Sequence, residues 1–116
     1  MIDFKKAIDD QFDQLIKDMA DLVSVNSVFD ETTAKENQPF GKANRDVLDK
    51  MLAIGQRDGY VTKDVDGYAG HIDIGSGDEV VAVLGHLDVV PVNENGWATP
   101  PFELTQVGNK YFGRGT

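Results

Sequence analysis

Glu79-Val80-Val81-Ala82-Val83-Leu84-Gly85-His86-Leu87-Asp88-Val89-Val90-Pro91 is the stretch on which the reading of this chain turns, because an apolar run ends in a histidine and a carboxylate two residues apart. The run from Glu79 to Leu84 is short, continuous and rich in β-branched residues, which predicts a strand covered on both faces inside a sheet. Successive side chains of an extended segment alternate faces, so His86 and Asp88 point the same way if the extension persists through Leu87. In open α/β sheets the ligand crevice lies beyond the carboxyl ends of the strands, which is where this pair falls. A neutral imidazole is a common zinc ligand, and a nearby carboxylate that takes the other ring N–H fixes the tautomer and raises the ligand's basicity.

The chain carries its own control, since His71-Ile72-Asp73 is a second His-x-Asp a few residues earlier. Its setting differs. Tyr68-Ala69-Gly70-His71-Ile72-Asp73-Ile74 alternates and runs straight into Gly75-Ser76-Gly77-Asp78, which predicts a hairpin strand with a solvated face. The tripeptide alone therefore carries no assignment, and His71 and Asp73 are given no role.

Composition narrows the chemistry. The 116 residues, 41% of them hydrophobic, suit one small folded domain with a modest core. No apolar stretch approaches the length of a membrane span and no basic-then-apolar leader is visible, so the default expectation is a cytoplasmic protein without membrane contact. There is no cysteine, which removes disulfides and thiolate ligands and leaves imidazole and carboxylate to hold any metal. A net charge of -9 from 20 acidic and 11 basic residues argues against nucleic acid as a partner, because phosphate binding needs a positive field.

Working outward, Phe4, Ile8, Phe12, Leu15, Met19 and Leu22 recur in steps of three or four and predict an amphipathic helix from Ile2 to about Val23. Its acidic opposite face is read as solvated. Asn26 to Gln38 is polar and ends at Pro39, as a surface loop does. A second helix is predicted from Phe40 to Asp58, with Val47, Leu48, Met51, Leu52 and Ile54 on its apolar stripe, Gly59 as its cap and Gly55 as a weak point. Tyr60 to Val65 and Tyr68 to Ile74 then read as strands about Gly67. Phe102 to Thr105 and Lys110 to Phe112 read as a last hairpin about Val107-Gly108-Asn109.

Taken together, Ser27-Val28-Phe29, Gln38-Pro39-Phe40-Gly41-Lys42, Asp66-Gly67-Tyr68-Ala69-Gly70, Gly85 to Pro91, Gly96-Trp97 with Pro101-Phe102, and Gly113-Arg114-Gly115-Thr116 form an ordered set of blocks. The set resembles the zinc aminoacylase and dipeptidase family of co-catalytic metallopeptidases, and more closely its bacterial branch that cleaves Xaa-His and related dipeptides. One block would be weak evidence; the ordered set spans nearly the whole chain.

The resemblance implies that His86 ligates one of two zinc ions and that Asp88 is the catalytic-site carboxylate that orients it. Trp97 and Phe102 resemble packing residues beside the loop. Arg114 is read as structural, although its planar fork of donors would also suit a substrate carboxylate. The implied fold is α/β, with N-terminal helices followed by a mixed parallel and antiparallel sheet and His86 at a strand's carboxyl end. The implied substrate is a small peptide. In the family, Gly-Arg-Gly-Thr is followed by a bridging aspartate and later by a glutamate base and further ligands. Residues 1–116 are therefore expected to be the N-terminal part of a catalytic domain, inactive alone, whose unpaired sheet edge invites self-association. Two rivals stand beside this reading. One is an N-acyl amino acid deacylase or desuccinylase of the same family; the other, for these residues alone, is a non-catalytic interaction module.

Overall fold

In the computed structural model, which describes all 116 residues, the elements run α1 (Phe4–Val23), α2 (Lys42–Arg57), β1 (Val61–Val65), β2 (Ala69–Asp73), β3 (Thr105–Val107) and β4 (Lys110–Phe112), with single 3-10 turns at Glu31–Thr33 and Glu94–Gly96. This is a mixed α/β chain with small antiparallel sheets, β1 on β2 and β3 on β4. It divides into two units. Val25–Pro91 forms one; Met1–Ser24 with Val92–Thr116 forms the other.

In the Val25–Pro91 unit, α2 lies on the β1–β2 hairpin. Val47, Leu48 and Leu52 are buried along one face of the helix, as their spacing predicts. The weak point at Gly55 proves to be a place of close approach. A methyl group there would sit 2.9 Å from both Ile72 Cδ1 and Thr62 Cγ2, so glycine admits the sheet where any larger residue would force it away. Past Arg57 the helix closes in a Schellman motif. Gly59 N–H donates to Gln56 O, Tyr60 N–H donates to Gly55 O, and Gly59 takes φ +85°, which satisfies two of the last carbonyls.

The hairpin register pairs Val61 with Asp73, Lys63 with His71 and Val65 with Ala69. Arg45, with a side chain only 15% exposed, fastens α2 to the hairpin turn. Its guanidinium bonds Asp49, reaches Asp64 Oδ2 at 2.6 Å and donates to Asn37 O at 3.3 Å. Asp49 first, then Asp64, holds the Arg45 pKa above its ordinary value against the opposing effect of burial. Asp64 Oδ1 accepts from Gly67 N–H at 2.8 Å. That bond first, and Arg45 second, lowers the Asp64 pKa. The polar loop of residues 26–38 is exposed over most of its length, as predicted, but Ser27 within it is buried and the loop is locally ordered. Asp30 accepts from the Thr32 and Thr33 hydroxyls and from Thr32 N–H, and these bonds lower its pKa, the Thr32 hydroxyl foremost.

The central strand expected at Glu79–Leu84 does not form. These residues pair with no other segment, and Val80, Val81, Val83 and Leu84 are 85 to 99% exposed. β-branched composition favours an extended backbone, but a strand exists only as one member of a ladder. Here Gly75 and Gly77 turn at φ +85° and +144°, and the chain leaves β2 without closing one. The expected sheet mixing parallel and antiparallel strands is accordingly replaced by two separate antiparallel pairs.

In the other unit, α1 starts at the predicted place, capped by Asp3, whose carboxylate accepts from Lys6 N–H. The C-terminal end of the helix is the covered part. Val23 is buried, whereas Phe4, Ile8, Phe12 and Leu15 are exposed, Phe12 meeting Tyr111 edge-on at 6.4 Å. The β3–β4 hairpin turns through Gly108-Asn109, with Gly108 at φ +63°, as a tight hairpin needs. β3 spans Thr105–Val107 rather than Phe102–Thr105. The reason is local: Glu103 N–H donates to Pro100 O, so residues 100–103 are consumed by a turn that the two prolines favour.

Candidate functional site

Exposure alternates along residues 86–90: His86, Asp88 and Val90 are exposed, Leu87 and Val89 half-buried. The i, i+2 argument therefore holds here although no sheet surrounds it. His86 Nδ1 lies 2.9 Å from Asp88 O and 3.2 Å from Asp88 Oδ1. Both partners are acceptors, so a neutral ring that makes these bonds carries its proton on Nδ1 and leaves Nε2 as an acceptor. That is the tautomer a metal-ligating imidazole needs.

His71 makes the same kind of contact. Its Nδ1 sits 2.8 Å from Asp73 Oδ1. The local geometry of His-x-Asp thus belongs to extended backbone and does not separate the two copies; the surroundings do. His71 stands directly across β1–β2 from Lys63, so a cation on its ring would share a sheet face with an ammonium group, an unfavourable pairing. The side chain of His86 is 82% exposed and lies in no strand pair.

Sequence reasoning included Ser27 in a block but gave it no task, and the structure gives it one. Ser27 is 2% exposed and is the one buried polar residue of the chain. Its Oγ donates to Leu87 O at 2.7 Å, and its carbonyl accepts from Val89 N–H at 3.2 Å. The signal available in the sequence was a lone hydroxyl inside Val25-Asn26-Ser27-Val28, too common a pattern to read.

In the other unit, Arg114 packs its guanidinium 5.0 Å from the centre of the Trp97 ring, and its backbone N–H donates to Pro101 O at 2.7 Å. Its buried Nε has no partner. Phe102 is half-buried.

As a metal site, the residues present fit one ligand and its orienting carboxylate. No three His, Asp or Glu side chains converge on a common point, whereas a catalytic zinc site takes about three protein ligands. No helix is long and apolar enough to cross a membrane.

With that geometry in place, likeness to known proteins adds a direction. The chain is 41% identical over 103 residues to "Putative dipeptidase YtjP" of Bacillus subtilis, covering 89% of this chain and 22% of that protein. It is 41% identical over 113 residues to "Putative dipeptidase SH1171" of Staphylococcus haemolyticus, covering 97% of this chain and 24% of that protein. A Staphylococcus aureus protein with a name of the same form is 40% identical over the same share of each. The relatives are dipeptidases by name. The chain spans about a quarter of the length of these curated relatives. No family model matches it.

Proposed function

We propose that this chain belongs to a zinc-dependent dipeptidase, of the bacterial Xaa-His-cleaving type within the zinc aminoacylase and dipeptidase family, acting on small peptides in the cytoplasm. The observation that supports it most is the likeness over nearly the whole chain to proteins named as dipeptidases, joined to the exposed ring of His86 with Nδ1 held by Asp88. In this reading His86 Nε2 is one ligand of a two-zinc centre, and Asp88 holds the ring in the ligating tautomer and raises its basicity. Bound zinc would supply a water of lowered pKa and polarise the scissile carbonyl. The chain's own part is to present the imidazole and fix its orientation. The further donors that such a centre needs exceed what these 116 residues bring together, so on their own they are proposed to be inactive.

Zinc content and turnover of a dipeptide panel against N-acyl amino acids test the reading in a protein that carries this chain. Dipeptide cleavage lost on chelation and regained with zinc is expected. Turnover of N-acyl amino acids alone would move the assignment to the deacylase branch, and metal-independent cleavage would sink it. For the 116 residues alone, the uncovered Val80, Val81, Val83 and Leu84 favour self-association, since unpaired extended segments invite pairing. A monodisperse monomer in sedimentation at high concentration would refute that.

A further inference from the structure

Two hydrogen bonds to Ser27 tie the Glu79–Pro91 segment to the rest of the Val25–Pro91 unit. They fall on the two residues that flank Asp88. The Ser27 hydroxyl holds the carbonyl before it and the Ser27 carbonyl holds the amide after it, across about sixty residues of sequence. A buried serine needs only one acceptor for its hydroxyl, and any nearby carbonyl would serve. Two bonds bracketing a single carboxylate do something more specific. They fix the peptide planes on both sides of Asp88, and with them the outward direction of Asp88 and of the His86 ring whose Nδ1 bonds both its carbonyl and its carboxylate. The side chains pointing the other way, Leu87 and Val89, are the half-buried ones, so the bracket and the alternation enforce the same orientation. Ser27 N–H in turn donates to Val25 O at 2.8 Å, which ties the serine to the chain leading into it.

We infer that Ser27 is a positioning residue: its hydroxyl and carbonyl clamp the backbone around Asp88, so that His86 is presented to solvent with Nδ1 protonated and Nε2 free. This deepens the reading of His86 and Asp88 as a ligand and its orienting group, and rests on it.

Nuclear magnetic resonance of the full 116-residue chain separates the two. Amide exchange is followed at Val89, against Val81 and Val83 as exposed references and α2, β1 and β2 as folded ones; ring nitrogen shifts report the His86 tautomer at a pH above its titration. In the wild-type chain Val89 exchanges more slowly than Val81 and Val83, and the ring is protonated at Nδ1. Ser27→Ala deletes the hydroxyl bond to Leu87 O while keeping the carbonyl that accepts from Val89 N–H; released on the Leu87 side, the segment opens more often, which speeds Val89 exchange about tenfold and moves His86 toward the tautomer mixture of free histidine. The rates in α2, β1 and β2 stay as they were. Ser27→Cys, close in shape but a weaker donor, falls between. Unchanged Val89 exchange and tautomer in Ser27→Ala would overturn the inference. So would an equal acceleration throughout the unit, which would make Ser27 an ordinary stabilising residue. A wild-type ring lacking the Nδ1 proton overturns the ligand reading instead, and the clamp is then judged on Val89 exchange alone.

Discussion

The β1–β2 hairpin and the Glu79–Pro91 segment carry nearly the same sequence signals, and the molecule treats them in opposite ways. Each has β-branched residues and a His-x-Asp whose ring and carboxylate meet. The hairpin has two partners, its own second strand and the buried face of α2. Glu79–Leu84 has neither, and its apolar side chains stand in solvent. The hairpin ladder orders its histidine and at the same time sets Lys63 against it. The segment without a ladder holds its histidine by two hydrogen bonds to one serine and leaves the ring open. Strand pairing leaves the His71 side chain 47% exposed opposite a lysine, whereas the clamped segment leaves that of His86 82% exposed.

The contrast breaks most readily at its stable end. Leu52 lies buried at 8% exposure beneath the hairpin, and Leu52→Ala is expected to lower the stability of that unit by about 2–5 kcal/mol. Urea unfolding followed by circular dichroism measures it; a loss below about 1 kcal/mol, within the range of surface changes, would show that α2 does not hold the hairpin.

Next in size is the difference between the two histidines. In an active enzyme carrying this chain, Asp88→Asn is expected to lower zinc affinity or kcat/KM by roughly 10- to 100-fold, with Asp73→Asn leaving both unchanged. Equal losses at both positions would erase the distinction drawn from Lys63.

Gly55→Val comes third. A side chain there meets Ile72 and Thr62 at 2.9 Å, and overpacking of this kind costs about 1–3 kcal/mol, read from the same urea curves. An unchanged midpoint would mean that the helix and sheet are not in close contact.

The acid limb of the hairpin follows from Asp64, whose pKa is lowered first by Gly67 N–H and then by Arg45. A carboxylate with a lowered folded pKa contributes stability that is complete above its unfolded value of about 3.9 and is lost as the pH falls through the folded one. Asp64→Asn should therefore flatten the loss of stability below about pH 4, and an unaltered acid limb would assign it to other groups.

The smallest effect is the most telling for the unpaired segment. Val81 is 95% exposed, so Val81→Lys should change stability by no more than about 0.5 kcal/mol. A cost of several kcal/mol would mean that this residue is buried in solution, as the sequence pattern alone predicts.

Much of this was legible in the residues because much of it is local. The apolar spacing of α1 and α2, the cap at Gly59 and the turn at Gly67 are written in stretches of a few residues whose backbone preferences need no distant partner. The joint orientation of His86 and Asp88 is of the same kind, a consequence of extended backbone at i and i+2. Gly55 was legible only as a defect in a helix, because its use lies in what Ile72 and Thr62 bring to it. Ser27 was silent, since a hydroxyl's role depends on which carbonyl it meets.

By itself, then, the sequence determined where helices and turns form, which chemistry is available without cysteine, and that His86 and Asp88 share a face. Tertiary structure alone decided that Glu79–Leu84 finds no ladder, that Lys63 faces His71, and that Ser27 grips the backbone on either side of Asp88. Helix periodicity and turn dihedrals are properties of neighbouring residues. Strand pairing, burial and a hydrogen bond between residues sixty apart require a second segment to arrive, and composition does not say whether it will.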